Sequence, residues 1–159
     1  MKFKSNAPGG YVCPICAGLR QPGGPDTLIV ESDFVYRDEH VSAFINTFFM
    51  GKNVGHVIVV PNGHYENIYD IPAEIGHKVF DAAQKIAIAM KQAYNCDGIT
   101  TRQNNEPAGD QHGFHFHFHV LPRYHDDGYN QVQPKDKRLA EPEERAGYAE
   151  KLRQAIVTS

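Results

Sequence analysis

No stretch of this 159-residue chain is apolar for long enough to span a bilayer, and no long run of single-sign charge interrupts it. The first absence excludes a transmembrane helix, which needs about 20 consecutive apolar residues. The second, with 16 basic against 19 acidic residues and a formal net charge of -3, leaves no electrostatic footprint for duplex nucleic acid or an anionic membrane surface. The one basic cluster, Lys135, Lys137 and Arg138, is punctuated by Asp136 and reads as a solvated loop. Internal repeats and low-complexity blocks are also missing. The start, Met1-Lys-Phe-Lys-Ser, runs into Pro8-Gly-Gly instead of a signal-peptide core, so a soluble, cytoplasmic protein is expected. Cysteine is scarce, at three residues. Cys13 and Cys16 form Cys-Pro-Ile-Cys in a Gly/Pro-flanked segment, which could present two thiolates to one zinc ion, act as a redox pair or remain two unpaired thiols. The strand-to-helix setting of a thioredoxin-like site is absent. With no second CxxC, a zinc site would need two ligands from elsewhere, and histidine is the obvious supplier.

What is present is an ordinary globular composition, 41% hydrophobic with 14 glycines, sized for a single domain over residues 1–159. After a Gly/Pro-rich loop at 17–26, Thr27 to Val30, Phe34 to Arg37 and Val41 to Ile45 read as short strands. Gly55 to Val60 reads as another, apolar on both sides and therefore central, ended by Pro61. Asp70 and Pro72 signal a helix start, and Ile75, Val79, Ala82, Ala83, Ile86, Met90 and Ala93 recur at helical spacing over about 22 residues. His77 lies off that stripe, as a surface residue. Gly98 to Asn104 follows as a strand, then a loop at 105–113, and Pro142 with Glu143 and Glu144 opens a last helix carrying Ala149, Leu152 and Ile156. Strands, helix, strands, helix imply an α+β fold around a mainly antiparallel sheet.

Residues 114–121 read Phe-His-Phe-His-Phe-His-Val-Leu. Such alternation has the period of a strand, which Pro122 would end, placing His115, His117 and His119 on one face and the phenylalanines on the other. At a rise of roughly 3.3 Å per residue, neighbouring histidines stand about 6.6 Å apart and the outer two about 13 Å, too far to share one metal ion. A division of labour follows, with one end of the row holding metal or scaffold and the rest working on a substrate. The Asn/Gly loop before the strand could offer amide donors to an anionic oxygen or could simply turn the chain.

The segment His115-Phe-His117-Phe-His119-Val-Leu resembles the signature of the histidine triad superfamily. The resemblance extends to Asp38 through Asn46, Gly55-His56-Val-Ile-Val-Val-Pro61, the Pro61-Asn-Gly-His64 turn, Asn104 through Gly109 and Leu121-Pro-Arg123-Tyr. It covers residues 13–125, leaving the loop and helix of 126–159 beyond it. The resemblance implies a HIT-like fold, a homodimer and a nucleotide or dinucleoside polyphosphate ligand. It implies that His117 attacks the α-phosphorus to form a nucleotidyl-histidine, that His119 hydrogen-bonds the phosphate, and that His56 packs behind the triad in support. Asn46 would bind the ribose, Phe44 and Thr47 would line the base pocket, and Asn104 and Gln111 would reach the phosphates. Relatives with an early CxxC imply structural zinc on Cys13, Cys16, His64 and His115.

Two departures stand out. His112 replaces the usual Ser or Thr three residues before the triad, where it could donate to the leaving group, and Asp110 lengthens the preceding loop by one residue. The implied activity is hydrolysis or nucleotidyl transfer, first on diadenosine polyphosphates or related adducts, with phosphoramidate hydrolysis as the alternative. A zinc-stabilised nucleotide-binding module with little catalysis, and a cupin-like metal oxygenase or hydrolase built on His-x-His, are the readings from other classes.

Overall fold

The computed structural model describes residues 3–131 and 136–158, so Met1, Lys2 and Lys135 lie outside the described residues. Along the chain run α1 (Pro14–Arg20), β1 (Phe34–Arg37), β2 (Val41–Ile45), β3 (Phe48–Met50), β4 (Val57–Pro61), α2 (Ala73–Ala93), β5 (Gly98–Gln103), β6 (Phe118–Arg123), β7 (Lys137–Leu139) and α3 (Pro142–Thr158). Five strands form an antiparallel sheet in the order β1-β2-β4-β6-β5, and β3 pairs with β7 in a separate ribbon.

Alternation explains why β2 and β4 are buried throughout. Val41, Ala43, Ile45, Val57 and Val59 join Val79, Ala82, Ala83, Ile86, Ala89 and Met90 of α2, with Ala149 and Leu152 of α3, in the main core. The intervening Phe44, Ile58 and Val60 face the other side and pack with Ile15, Ile29 and Phe34. The expected apolar stripe of α2 is therefore core, β4 is the central strand, and His77 is exposed. Gly55, just ahead of β4, has φ +73 and would place a Cβ 2.6 Å from the Tyr148 ring, so both backbone and space demand glycine there.

Several sequence expectations are corrected. Residues 14–20 are helical: Pro14 sits in the first turn and Cys13 caps the end, its sulfur accepting from the Cys16 amide at 3.4 Å. Thr27 to Val30 is not a strand, because its carbonyls serve other partners: Ile29 O accepts from Gly23 N at 2.7 Å and Leu28 O from Arg145 at 2.9 Å. The histidine strand begins only at Phe118, leaving Phe114 to His117 irregular. Nor does Pro122 end it. β4 pairs no further than Val120, so Pro122 has an open flank where a missing N–H costs no ladder bond, and the strand runs on to Arg123. Lys137 and Arg138 belong to β7, and Arg138 pairs with Glu144 through two bonds of 2.7 and 2.8 Å.

α3 is tied down by a buried ion pair. Arg145, 2% exposed, donates to both oxygens of Asp33, 0% exposed, at 2.8 and 3.1 Å, and also to the carbonyls of Leu28 and Ala140. A second lock holds the turn after β6: Asp127 accepts from Arg123 at 2.7 and 3.0 Å and from Asn53 at 2.8 Å, contacts that hold its carboxyl well below the usual range.

Candidate active site and metal centre

Sheet register lines up one residue from each strand on the face opposite α2. Phe34 is opposite Phe44, Phe44 opposite Ile58, Ile58 opposite His119 and His119 opposite Arg102. The row is aromatic and aliphatic over three strands, imidazole on the fourth and guanidinium on the edge strand. From Phe44 to Arg102 it floors a cavity of ≈ 270 Å³. Pro14, Ile15, Leu28 and Ile29 wall the apolar end, Asn46 and Thr47 sit at the end of β2, and His117, His119, Asn104 and Gly113 occupy the middle. Phe48, Met50, Arg102 and Lys137 complete the lining on the side of β5 and the β3–β7 ribbon.

The three central histidines are fixed by different bonds. His117 Nδ1 donates to its own neighbour, the His115 carbonyl oxygen, at 2.7 Å, which leaves a lone pair on Nε2. His56 Nε2 and His119 Nδ1 are 3.0 Å apart and share one proton, and the Asn46 side-chain nitrogen that donates to Phe48 O lies 3.2 Å from His56 Nε2. Among the described residues His56 Nδ1 is buried without a partner. The irregular backbone at 114–117 brings the His117 and His119 ring centroids to 4.9 Å, closer than regular-strand spacing suggested. Burial is the first cause that lowers all three imidazoles, taking His56 down to about 3 and His119 well below its usual value; the charges of Arg102 and other neighbours add to it. All three rings are therefore neutral near pH 7.

The remaining triad member belongs to a second cluster. One donor atom each from Cys13, Cys16, His64 and His115 lies within 4.8 Å of all the others. His115 Nδ1 is 3.6 Å from Cys13 Sγ and 3.4 Å from Cys16 Sγ, and His64 Nδ1 is 3.3 Å from Cys16 Sγ. Zinc bonds of about 2.3 Å to sulfur and 2.05 Å to nitrogen give tetrahedral S···N edges of about 3.5 Å, so the pairs are spaced as ligands of one ion would be. The fully buried His115 donates from Nε2 to Pro61 O at 3.0 Å, turning an unprotonated Nδ1 toward the sulfurs. Burial, and then the adjacent Cys13, push the Cys16 thiol up to about 11, so a cation in the cluster is what would ionise it near neutrality. The donor set fits a metal.

The other expected residues separate. Phe44, Asn46, Thr47 and Asn104 line the cavity, Asn104 holding its loop through Nδ2 to Gly109 O at 2.6 Å. Gln111 does not line it: buried, it accepts from Glu106 N at 2.7 Å and donates to Glu66 O at 2.8 Å, so both ends of its amide brace backbone. His112 stands at the mouth, with its side chain 79% exposed and Nε2 3.0 Å from Asp110 Oδ1. Sequence reasoning missed Arg102, Lys137, Met50 and the apolar trio Ile15, Leu28 and Ile29. Arg102 was reachable, because strand alternation puts it on the same face as Asn104.

Residues 28–126 match the model of the HIT domain family. The Bacillus subtilis protein called hit is 33% identical over 131 residues, 82% of this chain and 89% of that protein. A zinc-bound histidine triad family protein from Mycobacterium smegmatis has a TM-score of 0.70 and 25% identity, covering 92% of this chain and 94% of that one. An adenosine 5'-monophosphoramidase of Saccharomyces cerevisiae is 33% identical over 69 residues, 43% of this chain and 41% of that enzyme.

Proposed function

Because this chain belongs to the HIT domain family, we propose that it is a nucleotide hydrolase or nucleotidyl transferase working at the α-phosphate through His117. The observation that carries this reading is the 2.7 Å bond from His117 Nδ1 to His115 O, which aims an unprotonated Nε2 into the cavity. In the first step Nε2 attacks the α-phosphorus, a P–N bond forms and the P–O bond to the leaving group breaks, that group keeping the electron pair and taking up a proton. In the second, water adds to phosphorus and gives its proton to His112, which lost one in the first step; the P–N bond breaks and the mononucleotide leaves with His117 restored. Splitting one displacement in two lowers each barrier. His119, held by His56, contacts the phosphate oxygens as charge gathers on them, and Asn46 and Phe44 take ribose and base. His112, whose Nε2 lies 3.0 Å from Asp110 Oδ1 at the mouth, supplies the leaving group's proton.

Diadenosine polyphosphates or related adducts are the first substrates to try. The yeast relative's phosphoramidase activity makes adenosine phosphoramidate the second. Zinc is assigned to Cys13, Cys16, His64 and His115, where four protein donors leave no open position; it would supply cross-linking charge and no chemistry. The family resemblance supports a homodimer. The test is intact mass spectrometry after brief acid quench with each substrate. A transient gain of one AMP, absent in His117→Ala, is expected. Good binding without adduct or AMP release would overturn the catalytic reading in favour of a binding module.

A further inference from the structure

The cationic end of the cavity has no role in the steps above. Arg102 projects from the edge strand β5 directly across from His119 on β6, one strand beyond the imidazole that borders the apolar floor. Its Nε is buried without a hydrogen-bond partner among the described residues, and its Nη2 meets only the Met50 sulfur, at 4.0 Å. Such a group is costly to leave unpaired, because a guanidinium takes carboxylate or phosphate oxygens through parallel bonds when one is in reach. Met50 is opposite Lys137 in the β3–β7 ribbon, which brings a second cation to the same rim, its Nζ 4.6 Å from the Phe48 ring centroid. The carboxylate that lines the cavity, Asp110, is already engaged by His112 at 3.0 Å.

Direction along the row then decides what these cations meet. A base over Phe44 and Ile58 and an α-phosphate at His117 and His119 run from β2 toward β6. Whatever is attached beyond that phosphate continues toward β5. We infer that Arg102 and Lys137 form a leaving-group subsite that selects an anionic group, such as a second phosphate, over a neutral or cationic amine. This rests on the nucleotide reading of the same cavity and narrows it to phosphoanhydride substrates. Both cations also contribute, after burial, to keeping His119 and His56 unprotonated, as charges aimed into the cavity must.

The experiment compares AMP with ADP by calorimetry on His117→Ala protein, where no turnover interferes. ADP is expected to bind about 10-fold or more tighter than AMP, the range of a charge-assisted phosphate contact. Arg102→Gln should reduce that advantage to about 2-fold or less while AMP affinity stays within about 3-fold, and Arg102→Lys, which keeps the charge but not the planar fork, should keep only part of it. Lys137 is exposed, so Lys137→Gln tests the subsite without risk to folding, with a partial loss of the ADP advantage expected. Equal binding of AMP and ADP, or Arg102→Gln weakening both alike, overturns the subsite and leaves the nucleotide reading standing. No AMP binding at all overturns the nucleotide reading, and the subsite with it.

Discussion

The Nδ1 of His117 donates to the carbonyl oxygen of His115 at 2.7 Å, so the ring that faces the cavity is oriented by the backbone of a residue in the cysteine–histidine cluster. The two centres are coupled through one peptide unit. Metal content would therefore bear on the geometry of the proposed nucleophile, which touches none of the cluster's donor atoms.

Removing the proposed zinc ligands should act on both stability and rate. Cys13→Ser with Cys16→Ser is expected to abolish bound zinc, measured by elemental analysis, and to lower the melting temperature. Turnover of any substrate should fall even with His117 present, since Pro14 and Ile15, next to these cysteines, form a wall of the cavity. Full activity in a zinc-free protein would show that the cluster does not brace the site.

His117→Ala should lower kcat by about three orders of magnitude or more, the scale seen when a covalent nucleophile is deleted. Its melting temperature should change little, because the side chain is only partly enclosed. A variant that keeps near-normal turnover would exclude a nucleotidyl-histidine at this position.

Burial lowers the His117 imidazole from its usual range, so the proposed nucleophile takes up its proton at a lower pH than a free histidine does. The acid limb of kcat/KM is expected below about pH 6.5, with no loss of reactive His117 between there and about pH 8. Stability follows the same sign. A histidine held neutral in the fold, such as His56 at about 3, stabilises fully above the unfolded value near 6.5 and loses that contribution as the pH falls toward about 3. Denaturation at a series of pH values, compared with His56→Asn, measures it.

Breaking the Asp33–Arg145 pair from one side should be severe. Arg145→Met leaves a buried carboxylate uncompensated and is expected to cost about 3–5 kcal/mol in urea denaturation. Replacing both partners, Arg145→Met with Asp33→Leu, should cost less than the single change. Equal losses would mean the carbonyl contacts of Arg145, and not its charge, hold α3.

Gly55→Ala meets both a positive φ and the Tyr148 ring, and is expected to destabilise by about 2–4 kcal/mol while leaving catalytic residues untouched. A neutral result would show that the turn relaxes.

Legibility in the sequence followed the range of the physics involved. The 21 residues of α2 repeat their apolar period often enough to be read, and the all-apolar β4 declared itself central. α1, at seven residues, is too short to show a period, and β7 is a Lys-Arg-Leu strand with no apolar face to betray it. At the site, four dispersed residues could be assigned to one cluster through the family's pattern, and they do converge. Gln111 was harder because its partners lie across the fold: the amide's use on Glu66 and Glu106 is not written in local spacing, whereas alternation alone gave the face of Arg102 but not its unpaired Nε.

The lateral row from Phe34 to Arg102 has an evolutionary reading. Each strand contributes one letter, at steps of about 4.8 Å, and under the proposed nucleotide reading the letters on β2, β4, β6 and β5 would face successive stretches of an extended ligand. A single substitution on the edge strand can therefore change which tail is accepted without disturbing the head or the scissile centre. In such a layout, chemistry and clientele are carried by different strands.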